Sequence, residues 1–349
     1  MGLEMDSTEI LEATKEIYNN LQDDISKRIY TNRMMYNLTE DDTYIRNLFE
    51  EWAWEDKLIT DIDGFKSPVC VYGAGDFGKR LVRYFPELKW HCFVDNNAKA
   101  IGQIRSLKVC SVDEYLATDL PIIISVKRDC KAIKNMLISR GISADKILCL
   151  RDYLCEMDHI YFDFLSPEND EVFADVGGYD GMSSHEFFDW CENKENSMAY
   201  IFEPNNDMSE VINNNIQPGM NFKIAQYGAW DKKTKLSFKK SSKADGCYIV
   251  ENADEELDTV SVIDLDTYFE NEGVVPTYIK MDIEGAEHKA IEGAKNIIAN
   301  NKPRLAVSIY HKQEDLWDLP KLLLDIRPDY KFYIRHYTMG FADTVLYAV

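Results

Sequence analysis

Four acidic residues occur where apolar, strand-like runs of the sequence end. They are Asp175 after "VFA", Glu203 after "AYIF", Asp231 after "QYGAW" and Asp282 after "YIKM". The carboxyl ends of parallel strands meet at one edge of an open α/β sheet, where such sheets bind ligands, so we expect these carboxylates to surround one site. Their charge would repel a pyrophosphate and attract a ligand with positive charges and free hydroxyl groups.

S-adenosylmethionine (SAM) offers an ammonium group, a sulfonium group and a ribose diol. Glu203 follows Gly181 by 22 residues, close to the spacing at which an acid on a second strand holds ribose hydroxyls. Glu203 alone could also be a solvated strand end, and an aspartate before a glycine turn is a common turn residue. The two acids together favour a cofactor site. The predicted SAM-binding residues are Asp175, Gly177, Gly178, Tyr179, Glu203, Asn205, Ala229, Trp230, Asp231 and Asp282.

The glycines of "ADVGGYDGMSS", at 174–184, form a strand-to-helix turn in this interpretation. Glycine lets the backbone approach a ligand closely, and the amides at a helix start suit a carboxylate. We therefore expect this turn to hold the aminoacyl end of the methyl donor.

A second glycine turn occurs in "VYGAGDFGKR" at 71–80. Gly73, Gly75 and Gly78, with Asp95 ending the next strand, match a dinucleotide fingerprint, although a single G-x-G-x-x-G is a weak signal. This turn could bind a nucleotide or serve packing alone. The chain could accordingly be a nucleotide-sugar-binding protein, an NAD-dependent sugar-modifying protein or a non-catalytic nucleotide sensor. The first domain shows no Y-x-x-x-K constellation, which disfavours hydride transfer.

His311 is the histidine best placed for catalysis. It follows the strand-like run "RLAVSIY" and should lie next to the strand that ends in Asp282. Imidazole titrates near neutrality, which suits it to accept a hydroxyl proton. His311 could instead only hydrogen-bond an acceptor or cap the helix that begins near Glu314. We predict Asp282 and His311 as the catalytic residues.

Asp282, Glu284 and Glu287 offer the oxygen ligands that magnesium prefers. Glu284 and Glu287 also lie near a predicted helix start, where the dipole favours carboxylates. We expect a capping role for at least one of them, and no tightly bound metal.

The elements that position these residues form three segments: a helical N-terminal arm at 1–66, a Rossmann-like module at 67–163 and a further α/β domain at 171–349. Strand-like and helical runs alternate in both later segments, which predicts two doubly wound, mostly parallel sheets. The last two strand-like runs, "YKFYIRHY" and "TVLYAV", predict an antiparallel edge hairpin. We expect the arm to pack on the domain that follows it, or to serve oligomerisation.

Composition limits the classes of partner. A formal charge of −22, from 61 acids and 39 bases, disfavours nucleic acids, and the basic run "SFKKSSK" at 237–243 predicts a solvated hairpin. The eight cysteines show no C-x-x-C pair, which is typical of reduced thiols. No secretory signal or membrane-length apolar run occurs, so we expect a cytoplasmic protein.

From 171 to 349 the ordered motifs "VFADVGGYDGMSSHEFF", "AYIFEPNN", "YIKMDIEGAEHKAIEGA" and "LAVSIYHKQEDLWDLP" resemble FkbM-type methyltransferases, and "IKMDIEGAE" is the most specific. The resemblance implies a class-I methyltransferase fold, SAM as cofactor, and methyl transfer to a hydroxyl of a sugar, glycan or polyketide, free or nucleotide-linked. It places Asp175, Gly177, Glu203 and Asp282 at cofactor-lining positions. "DVGGYDG" departs from the family's usual acid followed by Gly-x-Gly.

Overall fold

The computed structural model describes residues 6–49, 54–126, 129–154, 160–240, 247–250 and 258–349. Their contacts divide the chain into two compact units. The large unit comprises Met1–Asn37, His159–Tyr337 and Phe341–Val349, and the small unit comprises Leu38–Asp158 and Thr338–Gly340. This division differs from the expected one, because it separates the two halves of the predicted arm.

The first two helices, α1 (Ser7–Asn20) and α2 (Asp24–Thr39), begin the chain. We expected them to pack on the domain that follows, but the residues between them lie along the edge strand Phe332–His336 of the large unit. The Asn20 amide donates to the Tyr330 carbonyl (2.9 Å) and accepts the Phe332 N–H (2.9 Å). Asp23 forms an ion pair with Arg335 at 2.7 Å. The arm therefore supplies partners to an edge that would otherwise leave backbone groups unpaired.

The small unit contains one six-stranded sheet and several short helices. Its elements are α3 (Thr43–Arg46), α4 (Trp54–Gly64), β1 (Val69–Tyr72), α5 (Asp76–Tyr84), β2 (Trp90–Val94), α6 (Ala98–Ile101), β3 (Gln103–Ile104), β4 (Leu107–Cys110), α7 (Val112–Leu116), β5 (Ile122–Ile124), α8 (Cys130–Ser139) and β6 (Ile147–Cys149), with 3-10 helices at Asn47–Phe49, Ala144–Lys146 and Leu150–Asp152. The strand order is β3-β4-β2-β1-β5-β6, parallel except for the pair β3 and β4, which the sequence analysis missed. The strand order reverses around β1, which carries the second glycine turn.

The large unit is built on a seven-stranded sheet. Its elements are β7 (Val172–Val176), α9 (Met182–Trp190), β8 (Met198–Phe202), α10 (Met208–Asn215), β9 (Asn221–Ala225), β10 (Gly228–Ala229), β11 (Thr234–Lys240), β12 (Cys247–Val250), β13 (Asp258–Ile263), α11 (Leu265–Glu272), β14 (Tyr278–Met281), α12 (Glu287–Glu292), α13 (Lys295–Asn301), β15 (Arg304–Ser308), α14 (Asp315–Ile326), β16 (Phe332–His336) and β17 (Thr344–Ala348). The order of the main sheet is β16-β17-β15-β14-β7-β8-β9. Only β17 runs antiparallel to its neighbours, which confirms the predicted edge hairpin and the α/β fold class.

Apolar residues of the central strands form the core beneath this sheet. Phe173 of β7 stacks on Phe187 of α9, with ring centroids 4.6 Å apart, and contacts Tyr278 of β14. Because both faces of a parallel sheet are covered by helices, its central strands are mostly apolar, with Asp175 and Lys280 as the charged residues of β7 and β14. The ends of β7 and β14 are therefore fixed by packing from both sides.

A second sheet of the large unit has the order β10-β13-β11-β12. Strands β11 and β12 pair antiparallel from Ser237 with Val250 onward, so the run predicted as a hairpin begins in β11. Its residues 241–243 lie outside the described part of the chain. Among the described residues no helix is long and apolar enough to span a bilayer.

Replacing Asn20 with Ala should destabilise the large unit by about 1–3 kcal/mol, because the Phe332 N–H would lose its partner. Urea unfolding followed by tryptophan fluorescence measures this difference. The exposed neighbour Asn19, changed to Ala, is the matched control and should leave the transition nearly unchanged. Equal transitions in both variants would show that the arm does not stabilise the edge.

Candidate active site

Asp175 lies at the end of β7 and is fully buried. Its Oδ2 accepts hydrogen bonds from the hydroxyls of Ser183 (2.6 Å) and Ser184 (2.7 Å) in α9. Its Oδ1 is 3.1 Å from Nζ of Lys280, which is only 3% exposed. We expected Asp175 to contact the cofactor, whereas the carboxylate has no exposed surface in this structure. It ties the glycine turn to the helix and to the neighbouring strand.

The glycine turn itself lies directly against the end of β14. Gly177 has φ +86°, and a Cβ there would collide with the carbonyl oxygen of Asp282. A Cβ at Gly178 would collide with Ile201 in β8. The Gly177 carbonyl accepts a hydrogen bond from Lys280 at 2.7 Å. The sequence "GG" is therefore required by close backbone approach on both sides.

Glu203 follows β8 and faces the same turn. Its Oε2 accepts the Tyr179 N–H (3.1 Å) and its Oε1 accepts the Asn205 N–H (2.7 Å). Burial raises the pKa of Glu203, and these two amides offset part of that rise. A carboxylate has about four lone-pair sites, so each oxygen can still accept a hydroxyl proton. The side chain is half-buried and open to a ligand.

The predicted residues 229–231 are placed differently from the expectation. Ala229 and Trp230 are 2% and 8% exposed, and Trp230 packs with Val262 and Ala286 in an apolar cluster. Asp231 forms an ion pair with Lys289 at 2.9 Å. These contacts leave Ala229 and Trp230 little surface for a cofactor, because β10 pairs with β13 instead of ending at the main sheet's edge.

Asp282 follows β14 and is held by two tyrosine hydroxyls. Tyr161 donates to Oδ2 (2.9 Å) and Tyr310 donates to Oδ1 (3.1 Å). Burial alone would raise the pKa of Asp282, but the Lys280 charge, His311 and the Tyr161 hydrogen bond outweigh it and lower that pKa. The carboxylate is therefore charged at neutral pH.

His311 lies next to Asp282, as the sequence predicted, and among three carboxylates. Its Nδ1 is 3.0 Å from Oε1 of Glu287, and its Nε2 is 3.5 Å from Oδ1 of Asp282 and 3.6 Å from Oε2 of Glu284. Burial lowers the pKa of His311, but these acids outweigh burial and raise it to about 9. The expectation that His311 titrates near neutrality is therefore wrong. It used the pKa of an isolated imidazole, which has no carboxylates beside it.

Ligand atoms of Asp282, Glu287 and His311 lie within 4.8 Å of one another, a spacing that could suit a metal ion. The two carboxylates, however, face opposite nitrogens of the imidazole. Oε1 of Glu287 also accepts the Ile283 N–H at 2.8 Å, close to the start of α12. The carboxylates of Asp282 and Glu287 therefore lie on opposite sides of the imidazole. Glu287 is the first residue of α12, but it binds the N–H of a residue before the helix, so the capping role expected for one of these acids stays a prediction.

Residues 175–334 match the family model described as the methyltransferase FkbM domain. The chain carries an FkbM-type methyltransferase domain. A crystal structure of methyltransferase FkbM from Methylobacillus flagellatus KT is similar over 85% of this chain and 99% of its own, with 19% identity and a TM-score of 0.50. At this identity the likeness concerns the fold, and it agrees with the class-I strand order of the large unit.

Two further solved structures match more weakly. A precorrin-6y C5,15-methyltransferase from Geobacter metallireducens GS-15 covers 56% of this chain and 85% of its own, at 10% identity and a TM-score of 0.32. A protein described as a putative rRNA-methylase from Clostridium thermocellum covers 56% of this chain and 93% of its own, at 10% identity and 0.33. A comparison with curated proteins finds no match.

Three residues of the methyltransferase site were missed by the sequence analysis. Lys280 had a signal, since it is the one charged residue of the buried strand "YIKM". Tyr310 directly precedes His311, and its ring centroid is 4.1 Å from the imidazole. Tyr161 gave no signal, because it lies in no motif and precedes the family match.

The second glycine turn lies outside the methyltransferase domain, in the small unit. Gly73 has φ +103°, and a Cβ at Gly78 would collide with the Gly73 carbonyl, so packing explains both glycines. Among the described residues, no atom lies within 4 Å of a Cβ added at Gly75. Asp95 accepts the N–H groups of Ala74 (2.9 Å) and Asn97 (2.8 Å), which stabilise the turn. Nucleotide binding by Gly73, Gly75, Gly78 and Asp95 stays a prediction.

Replacing Gly177 with Ala should destabilise the methyltransferase domain by about 1–3 kcal/mol more than Gly219→Ala, as measured by urea unfolding. Gly219 is the matched control, since its φ is +95° and no atom of the described part of the chain lies within 4 Å of an added Cβ. Its substitution measures backbone strain alone, roughly 1–2 kcal/mol. Equal losses in both variants would contradict the close approach of Gly177 to Asp282.

Proposed function

We propose that this chain transfers a methyl group from SAM to a hydroxyl of a sugar, glycan or polyketide-like small molecule. The observation that supports this most is the direct contact between the glycine turn and the end of β14, where a Cβ on Gly177 would strike the Asp282 carbonyl. A donor held on the turn would lie beside Asp282 and His311. Donor and proton acceptor would thus share one edge of the sheet.

In this proposal Glu203 binds the ribose of the donor. One carboxylate oxygen binds the turn through the Tyr179 amide, and the other is oriented by the Asn205 amide. A cleft of about 620 Å³, lined in part by Pro204 and Tyr227, begins next to Glu203 and gives the adenine room to extend. The fully buried Asp175 acts indirectly, by fixing the shape of the turn.

His311 accepts the proton of the acceptor hydroxyl in the proposed reaction. When bound, SAM supplies an already activated methyl group, so the protein's main task is alignment, which can contribute ~7 kcal/mol or more. Nε2 of His311 is buried and has no well-aligned hydrogen-bond partner among the described residues. As the hydroxyl oxygen bonds to the methyl carbon, the sulfur–methyl bond would break and leave S-adenosylhomocysteine, and the hydroxyl proton would move to Nε2, where Asp282 and Glu287 would stabilise the imidazolium.

Replacing Glu203 with Ala should weaken binding of S-adenosylhomocysteine (SAH), measured by calorimetry, by about 1.5–3 kcal/mol, or roughly 10- to 100-fold. Glu203→Gln keeps one oxygen acceptor and should lose less. The exposed Glu210 of α10, changed to Ala, is the control and should bind SAH as the parent protein does. Unchanged SAH affinity in Glu203→Ala would remove Glu203 from the donor site.

The ratio kcat/KM should rise with pH up to about 9, because it reports the protonation of the free protein, only the neutral imidazole accepts a proton, and the pKa of His311 is raised to about 9. At neutral pH roughly 1% of the free protein carries neutral His311. His311→Gln should lower kcat by on the order of 10²–10⁴ with SAH affinity unchanged. An NMR titration, with this variant assigning the resonance, measures the pKa directly.

Two outcomes would contradict this role of His311. Near-parental turnover in His311→Gln would show that another group accepts the proton. Turnover that is abolished by EDTA and restored by magnesium would show that a bound metal ion, and not the imidazole, activates the acceptor hydroxyl.

A further inference from the structure

Tyr161 has a backbone conformation that a tyrosine rarely adopts, with φ +79°. Such strained residues persist where the surrounding structure over-determines them, and they cluster at functional sites. We propose that Tyr161 is a positioning residue that fixes Asp282 at the methyl-transfer point, so that a segment outside the family match at 175–334 completes the site. This inference rests on the proposed function.

The strained backbone of Tyr161 is held on both sides by other tyrosines. Its N–H donates to the Tyr347 hydroxyl at 3.1 Å, and its carbonyl accepts a hydrogen bond from the Tyr278 hydroxyl. The Tyr347 hydroxyl in turn lies 2.6 Å from the Tyr337 hydroxyl, which donates to Asp163 at 2.6 Å. Strands β14 and β17 thus fix Tyr161 from below the site, through a buried hydroxyl network.

The side chain of Tyr161 contacts both Asp282 and Lys280. Its hydroxyl donates to Oδ2 of Asp282 at 2.9 Å, and its ring lies under the ammonium of Lys280, 5.4 Å from the ring centroid. Lys280 is the residue that binds Asp175 and the Gly177 carbonyl. Burial raises the pKa of Tyr161 well above its usual value, so the hydroxyl stays protonated and acts as a donor.

Removal of this hydroxyl should make Asp282 easier to protonate. Among the described residues, the other charged or ionisable groups that face Asp282 are Lys280, Tyr310 and His311, with Glu284 beyond the imidazole. The charge of Asp343 contributes to the raised pKa values of Tyr161 and Tyr310. In the free protein the pKa of His311 is raised to about 9, well above the acidic range in which Asp282 titrates. Within that pH range Asp282 is the acid whose pKa depends on the hydrogen bond from the Tyr161 hydroxyl.

The test compares two ligands that differ in charge at the methyl-transfer point. Sinefungin carries an ammonium where SAM carries its sulfonium, whereas SAH is neutral there. Calorimetry between pH 2.5 and 7, a range that extends below the lowered pKa of Asp282, gives the affinity ratio of sinefungin to SAH, in which effects on the shared ribose and aminoacyl groups cancel. The parent protein should prefer sinefungin, and this preference should be lost as Asp282 becomes protonated. Tyr161→Phe should move that loss to a pH higher by about one unit.

Four further variants complete this experiment. Tyr153→Phe removes a matched tyrosine–aspartate hydrogen bond, to Asp61 at 2.6 Å in the small unit, and should leave the midpoint unchanged. Asp282→Asn should abolish the pH-dependent preference, and adding Tyr161→Phe to it should change nothing further. Should Tyr161→Phe not fold, Tyr347→Phe keeps the ring and removes the hydroxyl that holds the Tyr161 N–H. It should shift the midpoint in the same direction.

A parental midpoint in a folded Tyr161→Phe, or a further loss in the double variant, would overturn the positioning role. Failure of the parent protein to bind either ligand would overturn the proposed function, and the role of Tyr161 with it. These results are distinguishable, since only the second removes binding of SAH itself.

Discussion

The buried ion pair between Asp175 and Lys280 joins the ends of the two central strands, β7 and β14. Neither charge reaches solvent, so each depends on the other and on the hydrogen bonds around it. Losing one partner of such a pair typically costs about 3–5 kcal/mol, because the remaining charge stays buried. Lys280 also holds the Gly177 carbonyl. Through these two contacts Lys280 helps to fix the shape of the glycine turn and its distance from Asp282.

The Lys280 ammonium also offsets part of the negative charge at the acid-rich edge of the sheet. Glu203 and Asp282 both experience the Lys280 charge, yet their pKa values move in opposite directions. Burial prevails at Glu203, where the donors are two neutral amides. At Asp282 the charges of Lys280 and His311, with the Tyr161 hydroxyl, prevail over burial. The charged carboxylate thus lies on the side where the proposed donor would carry its positive charge.

Local patterns predicted much of this arrangement. Apolar runs that end in an acid placed Asp282 and His311 side by side, because parallel strands present their carboxyl ends at one edge. Contacts between segments that lie far apart in the chain could not be predicted from the sequence. Asn20 pairs with Phe332, which is 312 positions away, and Tyr161 meets Asp282 across 121 positions. No periodicity encodes such partners. The raised pKa of His311 escaped for the same reason, since it depends on three carboxylates assembled by folding.

The sulfonium of the proposed donor and the imidazolium of His311 would both be stabilised by the carboxylates at this edge of the sheet. In the free protein Glu287, Asp282 and Glu284 hold a proton on His311. A sulfonium bound beside Asp282 would add a positive charge a few ångströms away and lower the affinity of the imidazole for its proton. Donor binding would therefore release the base for the acceptor, and the ionised state of Asp282, maintained by Tyr161 and Lys280, would determine how strongly the two events are coupled. The acid cluster would thus keep His311 protonated until the methyl donor is in place.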